Sequence, residues 1–199
     1  MNPCHTISET QKAAREAKDA NAETCFLALA SKDGIVSVRT LILRGIVENK
    51  FTLFFNQTSP KWSLLAEQAH FELLLWYPTQ QKQFRINGQS RMLDRDEVKD
   101  QWQAKPAGAK YMDFLYQERP QSREIESRET LVEKIEEIKQ NKLDSDLEVN
   151  SLEAPKEVSG VELSANKIEL LDLNNQDRIH DRRCFQLKNK IWQTQVLVP

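Results

Sequence analysis

The first half of the chain alternates short apolar segments with turns and contains only one short helical pattern between them. These segments are rich in β-branched and aromatic residues, which is the composition of β-strands. They span residues 24–30, 35–43, 51–55, 71–77 and 82–93, with turns at 31–34, at 78–79 and near Gly88. About six strands at this spacing predict a closed or split antiparallel β-barrel with peripheral helices, a fold that is mainly β with α.

Helical patterns surround the predicted strands. They cover residues 8–20, 60–68, 94–105, 110–117 and 123–141, and three of them carry capping residues: Ser8 with Gln11, Ser59 with Pro60, and Asp94 with Glu97. Residues 143–157 are acidic and without a period, which predicts a flexible loop. Strands resume at 158–163, 167–173, 184–187 and 191–198. We therefore expect one domain over residues 1–199, with a helical arm at 1–20.

Composition limits the class of partner. A net charge of −2 and a pI near 6.0 supply no global positive field for nucleic acid. The longest apolar run, residues 73–76, is far too short to cross a bilayer, and the N-terminus has no signal-peptide pattern. The three cysteines form no CxxC pair, so we expect free thiols in the cytoplasm and no metal site.

A phosphorylated ligand would have to be held by side chains in this protein. The chain has only five glycines and no glycine-rich phosphate loop, so a cradle of backbone amides is not expected. The basic residues that could replace such a cradle are Arg39, Arg44, Lys61, Arg85, Arg178 and Arg182.

Each of these residues has two interpretations from its local pattern. Arg39 interrupts an apolar strand, so it faces either water or an anion. Lys61 lies in the first turn of a capped helix, where the helix dipole already favours an anion, so it is either an exposed lysine or an anion ligand. Gln83 and Arg85 share one face of a strand, which is either solvated or offered to a planar polar ligand.

The densest group of polar residues is the segment 178–182. Arg178, His180 and Arg182 alternate, so an extended chain would place all three on one face. Two guanidinium groups and an imidazole make an anion site with a proton donor. The other interpretation is a charged turn between two strands.

Taken in order, several short motifs resemble the pyridoxamine 5′-phosphate oxidase family from about residue 21 to residue 199. The motifs are N-A-E at 21–23, R-T-L-I-L-R at 39–44, S-P-K at 59–61, K-Q-F-R-I-N-G at 82–88, R-I-H-D-R at 178–182, Trp192, and L-V-P at 197–199. The resemblance implies a split β-barrel that forms a homodimer and holds FMN in sites shared by both chains.

The resemblance also implies roles for individual residues. Arg39, Arg44 and Lys61 would lie near the FMN phosphate and ribityl chain, and Gln83 and Arg182 near the flavin. The residues expected to bind FMN are Arg39, Arg44, Phe55, Ser59, Lys61, Gln83, Arg85, Gln121, Ser122 and Arg182. Arg178 and His180 would face the substrate as the catalytic pair.

Several positions depart from the family pattern. Phe54 and Phe55 replace a tyrosine and a threonine that contact flavin, and Pro60 replaces an arginine. The tyrosine, arginine and serine that hold the substrate phosphate in the family fall near Gln101, Lys105 and Ala109. FMN binding is thus better retained than specificity for pyridoxamine phosphate. We expect an FMN-dependent oxidoreductase acting on a small amine or related substrate; the alternative is a non-catalytic FMN- or haem-binding split barrel.

Overall fold

The computed structural model describes residues 2–67, 70–143, 152–174 and 179–199. Its strands are β1 Thr24–Ala30, β2 Val36–Val47, β3 Lys50–Asn56, β4 His70–Tyr77, β5 Lys82–Met92, β6 Val158–Asp172, β7 Asp181–Lys188 and β8 Ile191–Leu197. Its α-helices are α1 Pro3–Glu16, α2 Pro60–Glu67, α3 Arg95–Gln103, α4 Ala107–Glu118 and α5 Arg128–Leu143. A short 3₁₀ helix, Pro78–Gln80, joins β4 to β5. In the described part of the chain, no helix is both long and apolar enough to cross a membrane.

Six strands form the barrel. Their order is β3-β2-β1-β4-β5-β6, and a further pairing of β3 with β6 closes the ring, while β7 and β8 continue the sheet beyond β6. Neighbouring strands run antiparallel. Every second residue of β1 and β4 is buried, so Leu27, Leu73 and Leu75 fill the interior. The predicted antiparallel barrel is confirmed.

The chain divides into two compact units. The larger comprises Met1–Leu53, Leu64–Arg91 and Val161–Pro199, and the smaller comprises Phe54–Ser63 and Met92–Gly160. In the larger unit, α1 buries Ile7 and Ala14 completely. In the smaller unit, Trp102 is fully buried and packs with Val98 and Val158. The prediction of a single domain stays a prediction.

Local pattern placed β1 at its observed bounds and the capping box of α3 at Asp94 and Glu97, but it misplaced α1. The predicted cap at Ser8 is wrong, because α1 begins at Pro3. The side chain of Asn2 caps this helix by accepting a hydrogen bond from the backbone N–H of Cys4 at 3.0 Å. Proline suits the first turn of a helix, so the segment Asn2-Pro3 is the stronger start signal.

Two predicted strand breaks are also wrong. β5 runs through Gly88 without a turn, which gives five strands rather than about six before α3. β6 is one strand of 15 residues, where the sequence predicted two. The strand continues because the backbone of Ala165 is bonded in both directions: its N–H donates to the Asn49 carbonyl, and its carbonyl accepts from Asn49 Nδ2, each at 2.8 Å.

Gly88 tests how tightly β5 approaches β6. A Cβ atom added at Gly88 would lie 1.9 Å from the carbonyl oxygen of Ser164, which belongs to the backbone and cannot rotate away. We expect Gly88→Ala to lower the free energy of unfolding by at least about 1 kcal/mol, because the added methyl group overpacks the contact between the two strands. The matched variant Gly45→Ala, where a Cβ meets nothing within 4 Å, should change it by no more than about 0.5 kcal/mol. Urea denaturation measures both, and equal midpoints for the two variants would contradict the close approach.

Candidate functional site

Seven of the ten residues expected to bind FMN fall into two groups, one in each compact unit. In the smaller unit, the lysine cluster consists of Phe55, Asn56, Ser59, Lys61 and Gln121. In the larger unit, the arginine cavity is lined by Gln83, Arg85, Glu169, Leu170, Leu171, Arg182 and Pro199.

A turn at the end of β3 shapes the lysine cluster. The side-chain oxygen of Asn56 accepts hydrogen bonds from the backbone N–H and the hydroxyl of Thr58, at 2.9 and 2.7 Å. Ser59 N–H donates to the Asn56 carbonyl at 3.0 Å, which closes the turn directly before α2 begins at Pro60. Thr58 Oγ1 also accepts from the backbone N–H of Gln121 at 3.0 Å. The turn therefore holds Gln121 beside the start of α2.

Lys61 is the charged centre of this cluster. The residue is only 7% exposed, although it lies in the first turn of a helix. Its ammonium donates to Ser59 Oγ at 2.5 Å and to Gln121 Oε1 at 3.5 Å, and it lies 5.4 Å from the centre of the Phe55 ring. Both oxygens are neutral acceptors, and they stabilise the ammonium by hydrogen bonding. A buried cation at a helix start, in contact with neutral oxygens, is a favourable place for an anion.

A second donor lies close by in sequence. Asn56 is 2% exposed, and its Nδ2 atom has no hydrogen-bond partner among the residues that the structure describes. A buried donor without an acceptor costs about 1–3 kcal/mol, whereas a ligand oxygen would satisfy it. The donor set of the lysine cluster, an ammonium, a hydroxyl and amide N–H groups, is the set that binds phosphate oxygens.

The arginine cavity lies on β5, β6 and β7. Gln83 and Arg85 are two residues apart on β5, which places them on one face of the strand. Arg182 of β7 pairs with Leu171 of β6. The cavity has a volume of about 200 Å³. Whole small-molecule sites span about 300–1,000 Å³, so this cavity suits one end of a ligand.

Charges of both signs line or flank the cavity. Glu169 Oε1 lies 2.6 Å from Lys167 Nζ, and Glu169 Oε2 lies 3.0 Å from Arg182 Nη2 and 3.6 Å from Arg85 Nη1. Glu72 Oε1 accepts from Arg85 Nε at 2.6 Å. One buried carboxylate thus contacts three cations, and a second carboxylate fixes one of those three.

These contacts change the proton affinities of both carboxyl groups. Hydrogen bonds from Lys167 and, to a lesser degree, from Arg182 hold the pKa of Glu169 below its ordinary value. Hydrogen bonds from Arg85 and then from Asn87 do the same for the pKa of Glu72. Both carboxylates are therefore charged at neutral pH.

The remaining predicted residues lie outside the lysine cluster and the lining of the arginine cavity. Arg39 and Arg44 are exposed on β2, and Arg39 Nη1 donates to the carbonyl of Val38 at 2.9 Å. His180 is exposed directly before β7, and Ser122 is exposed with a left-handed φ of 68°. Arg178 lies outside the described residues, so the proposed pairing with His180 stays a prediction.

Sequence reasoning missed three residues of these groups. Glu169 and Glu72 each interrupt an apolar strand, as Arg39 does, and that interruption is the sequence signal that could have found them. Glu72 and Arg85 lie on the two strands of one hairpin, so an ion pair between their opposite charges could also have been expected from the strand pairing. Asn56 shows its role only through the turn that it caps.

Comparison with known proteins gives one family. The family model described as pyridoxamine 5′-phosphate oxidase matches residues 10–142 of this chain. The chain is 29% identical over 173 residues to the pyridoxine/pyridoxamine 5′-phosphate oxidase of Acinetobacter baumannii, an alignment that covers 87% of this chain and 76% of the relative. It is 26% identical over 198 residues to the enzyme of the same name from Cyanothece, covering 100% and 89% of the two chains.

Two solved structures share the fold over nearly their full length. PhzG from Burkholderia lata, solved in complex with tetrahydrophenazine-1-carboxylic acid, superposes with a TM-score of 0.85 at 24% identity, covering 100% of this chain and 93% of PhzG. A pyridoxamine 5′-phosphate oxidase-related, FMN binding protein from Nostoc punctiforme superposes with a TM-score of 0.78 at 16% identity, covering 98% and 96%. At these identities the likeness concerns the fold, and it confirms the split-barrel prediction.

Proposed function

Because the chain belongs to the pyridoxamine 5′-phosphate oxidase family, we propose that it is an FMN-dependent oxidoreductase that oxidises a small amine or a related substrate. The observation that carries the proposal is the lysine cluster, where a buried ammonium in contact with neutral oxygens lies close in sequence to an unsatisfied amide donor. When bound, FMN supplies the redox chemistry by accepting two electrons and a proton from the substrate. The protein supplies binding, orientation and charge.

The residues present suit the two chemically different ends of FMN. Lys61 and Ser59, with Asn56 Nδ2, offer donors to a phosphate, and Gln121 and Ser122 flank them in the proposed role. The family resemblance gives Arg39 and Arg44, which are exposed on β2, a role near the phosphate and the ribityl chain. Phe55 offers an apolar surface.

The arginine cavity suits the polar edge of the flavin ring. Gln83 offers an amide donor and acceptor, and the guanidinium groups of Arg85 and Arg182 offer several N–H donors to ring carbonyls. We assign the substrate side to Arg178 and His180. His180 is exposed directly before β7, where a substrate can reach it.

The substrate need not carry a phosphate. Lys105 corresponds to an arginine that holds the substrate phosphate in the family, yet its ammonium lies 2.6 Å from Asp113 Oδ2 with both side chains largely buried. Asp113 also accepts a hydrogen bond from Trp102 Nε1 at 2.8 Å. This ion pair already neutralises Lys105, and Gln101 and Ala109 bring no charge. A neutral or cationic amine fits these residues better than a phosphate ester.

We also propose a homodimer with shared flavin sites. The outward side of β2 exposes Val36, Val38 and Ile42, by 66%, 57% and 45% of their surface. A row of exposed apolar residues on one strand is typical of a surface covered by a partner. A second copy of this chain is the partner that the family resemblance implies.

The three buried free thiols suit a reducing compartment such as the cytoplasm, which is the location that we propose.

Flavin reduction tests the proposed activity. We expect the purified protein to carry FMN, and an amine substrate added without oxygen to bleach the flavin absorption band, because the electrons have no other acceptor. Pyridoxamine and its 5′-phosphate, tested side by side, show whether the phosphate matters. A protein that keeps FMN but is reduced by no amine would be a non-catalytic binder, and a protein that takes up no FMN would refute the proposal.

Lys61 should discriminate between FMN and riboflavin, which differ by the phosphate group. We expect Lys61→Met to raise the Kd for FMN about 10-fold or more, because a charged hydrogen bond to the phosphate is lost. Riboflavin binding should change far less. Lys156→Met, at a lysine whose side chain is 88% exposed in the same unit, is the matched control. Quenching of flavin fluorescence gives the constants, and an equal loss for both flavins would place the phosphate elsewhere.

Val38 should control assembly. We expect the wild type to be a dimer in solution and Val38→Asp to be a monomer, because a carboxylate would be buried without a partner in the interface. Val132→Asp, at an exposed valine of α5, should leave the dimer intact. Light scattering on the three proteins measures their mass, and a wild-type monomer would overturn the shared-site arrangement.

A further inference from the structure

We propose that Glu169 is a positioning residue of the arginine cavity, and that its carboxylate holds the guanidinium of Arg182 in the orientation that meets the flavin. This inference rests on the proposed FMN-binding function. Glu169 is not among the residues to which the family resemblance assigns a role.

The contacts of Glu169 distinguish it from an ordinary surface carboxylate. The residue is 9% exposed and lies toward the C-terminal end of β6. Its two oxygens contact different cations. Oε1 lies 2.6 Å from Lys167 Nζ, and Oε2 lies 3.0 Å from Arg182 Nη2 and 3.6 Å from Arg85 Nη1. A buried carboxylate with this many charged partners is held in one place, and it holds its partners in turn.

The geometry leaves the guanidinium groups able to bind a ligand as well. A guanidinium carries five N–H donors in a rigid plane. Glu169 engages Nη2 of Arg182, and Glu72 engages Nε of Arg85. Fixing one edge of the plane fixes the direction in which the remaining donors point. Both arginines line the cavity, so those donors can reach a group bound there.

The net charge of these side chains distinguishes two possible effects of Glu169 on FMN binding, the orientation of Arg182 and a change in the attraction for the anionic phosphate. Arg85, Arg182 and Lys167 bring three positive charges, and Glu72 and Glu169 bring two negative ones, which leaves one net positive charge. Glu169→Gln would raise this excess to two. If charge alone governed binding, the variant would hold the anionic FMN more tightly. If Glu169 acts by orienting Arg182, the variant would hold FMN more weakly, so the two explanations predict opposite signs.

Glu162 provides a matched control on the same strand. Its side chain is 13% exposed, against 11% for Glu169, and it also contacts two cations, Lys50 at 3.2 Å and Arg91 at 3.4 Å. It does not line the arginine cavity. A general loss of strand β6 stability would therefore appear in Glu162→Gln as well as in Glu169→Gln.

The test measures FMN affinity by fluorescence quenching and records the absorption spectrum of the bound flavin. We expect Glu169→Gln to raise the Kd about 10-fold or more and to shift the flavin bands, because the charged hydrogen bond that orients Arg182 is lost. Glu162→Gln should leave both readouts unchanged. In an Arg182→Ala background, Glu169→Gln should add no further loss, since Glu169 acts through that arginine. Glu169→Asp, which keeps the charge but shortens the reach, should show a smaller loss and serves if the glutamine variant does not fold.

The failure of this inference can be told from the failure of the proposed function. A wild type that binds FMN, with Glu169→Gln equal to Glu162→Gln or tighter than wild type, overturns the positioning role alone. An additive loss in the Arg182→Ala background also overturns it. A wild type that takes up no FMN overturns both.

Discussion

The closure of the barrel by β6 is the constraint on which the arginine cavity depends. β6 pairs with β3, and Asn49, directly before β3, exchanges two hydrogen bonds with Ala165 of β6. β6 also approaches β5 so closely at Ser164 that only a glycine fits at position 88. A strand fixed on both sides at its middle has a fixed register over the residues that follow. That register sets Glu169 beside Arg85 of β5 and beside Arg182 of β7.

The two groups of polar residues follow different electrostatic rules. In and beside the arginine cavity, hydrogen bonds from cationic side chains lower the pKa of Glu72 and Glu169, and the same contacts order the cations. In the lysine cluster, the ammonium of Lys61 at the start of α2 donates to two neutral acceptors, the hydroxyl of Ser59 and the side-chain oxygen of Gln121. The contacts in the arginine cavity fix the directions in which the N–H donors of Arg85 and Arg182 point. The contacts in the lysine cluster hold an ammonium group at the start of a helix. Oriented donors suit the polar edge of a planar ring, and a cation suits a phosphate.

Local pattern predicted much of the fold because the relevant signals are local. The alternation in β1 and the capping box at Asp94 each act over a few residues, and both were found at the observed positions. The errors concern long-range contacts. Gly88 looked like a turn residue, but its backbone is packed against Ser164, which lies far away in sequence. The break predicted within β6 fails for the same reason, since Asn49 supplies the bonds at Ala165.

In the candidate site, too, the local signals could be predicted from the sequence and the long-range contacts could not. Lys61 and the pair Gln83 and Arg85 could be proposed from a helix start and a strand period, whereas the partners that decide their behaviour come from other elements. The ion pair of Lys105 with Asp113 shows why this matters for function. From sequence, Lys105 is a cation at a position where the family binds a phosphate, and the structure shows that cation already matched by a buried carboxylate. A substrate phosphate at Lys105 would have to compete with Asp113, whose Oδ2 lies 2.6 Å from the ammonium. The proposal of an amine substrate without a phosphate therefore depends on an ion pair that the sequence pattern alone does not reveal.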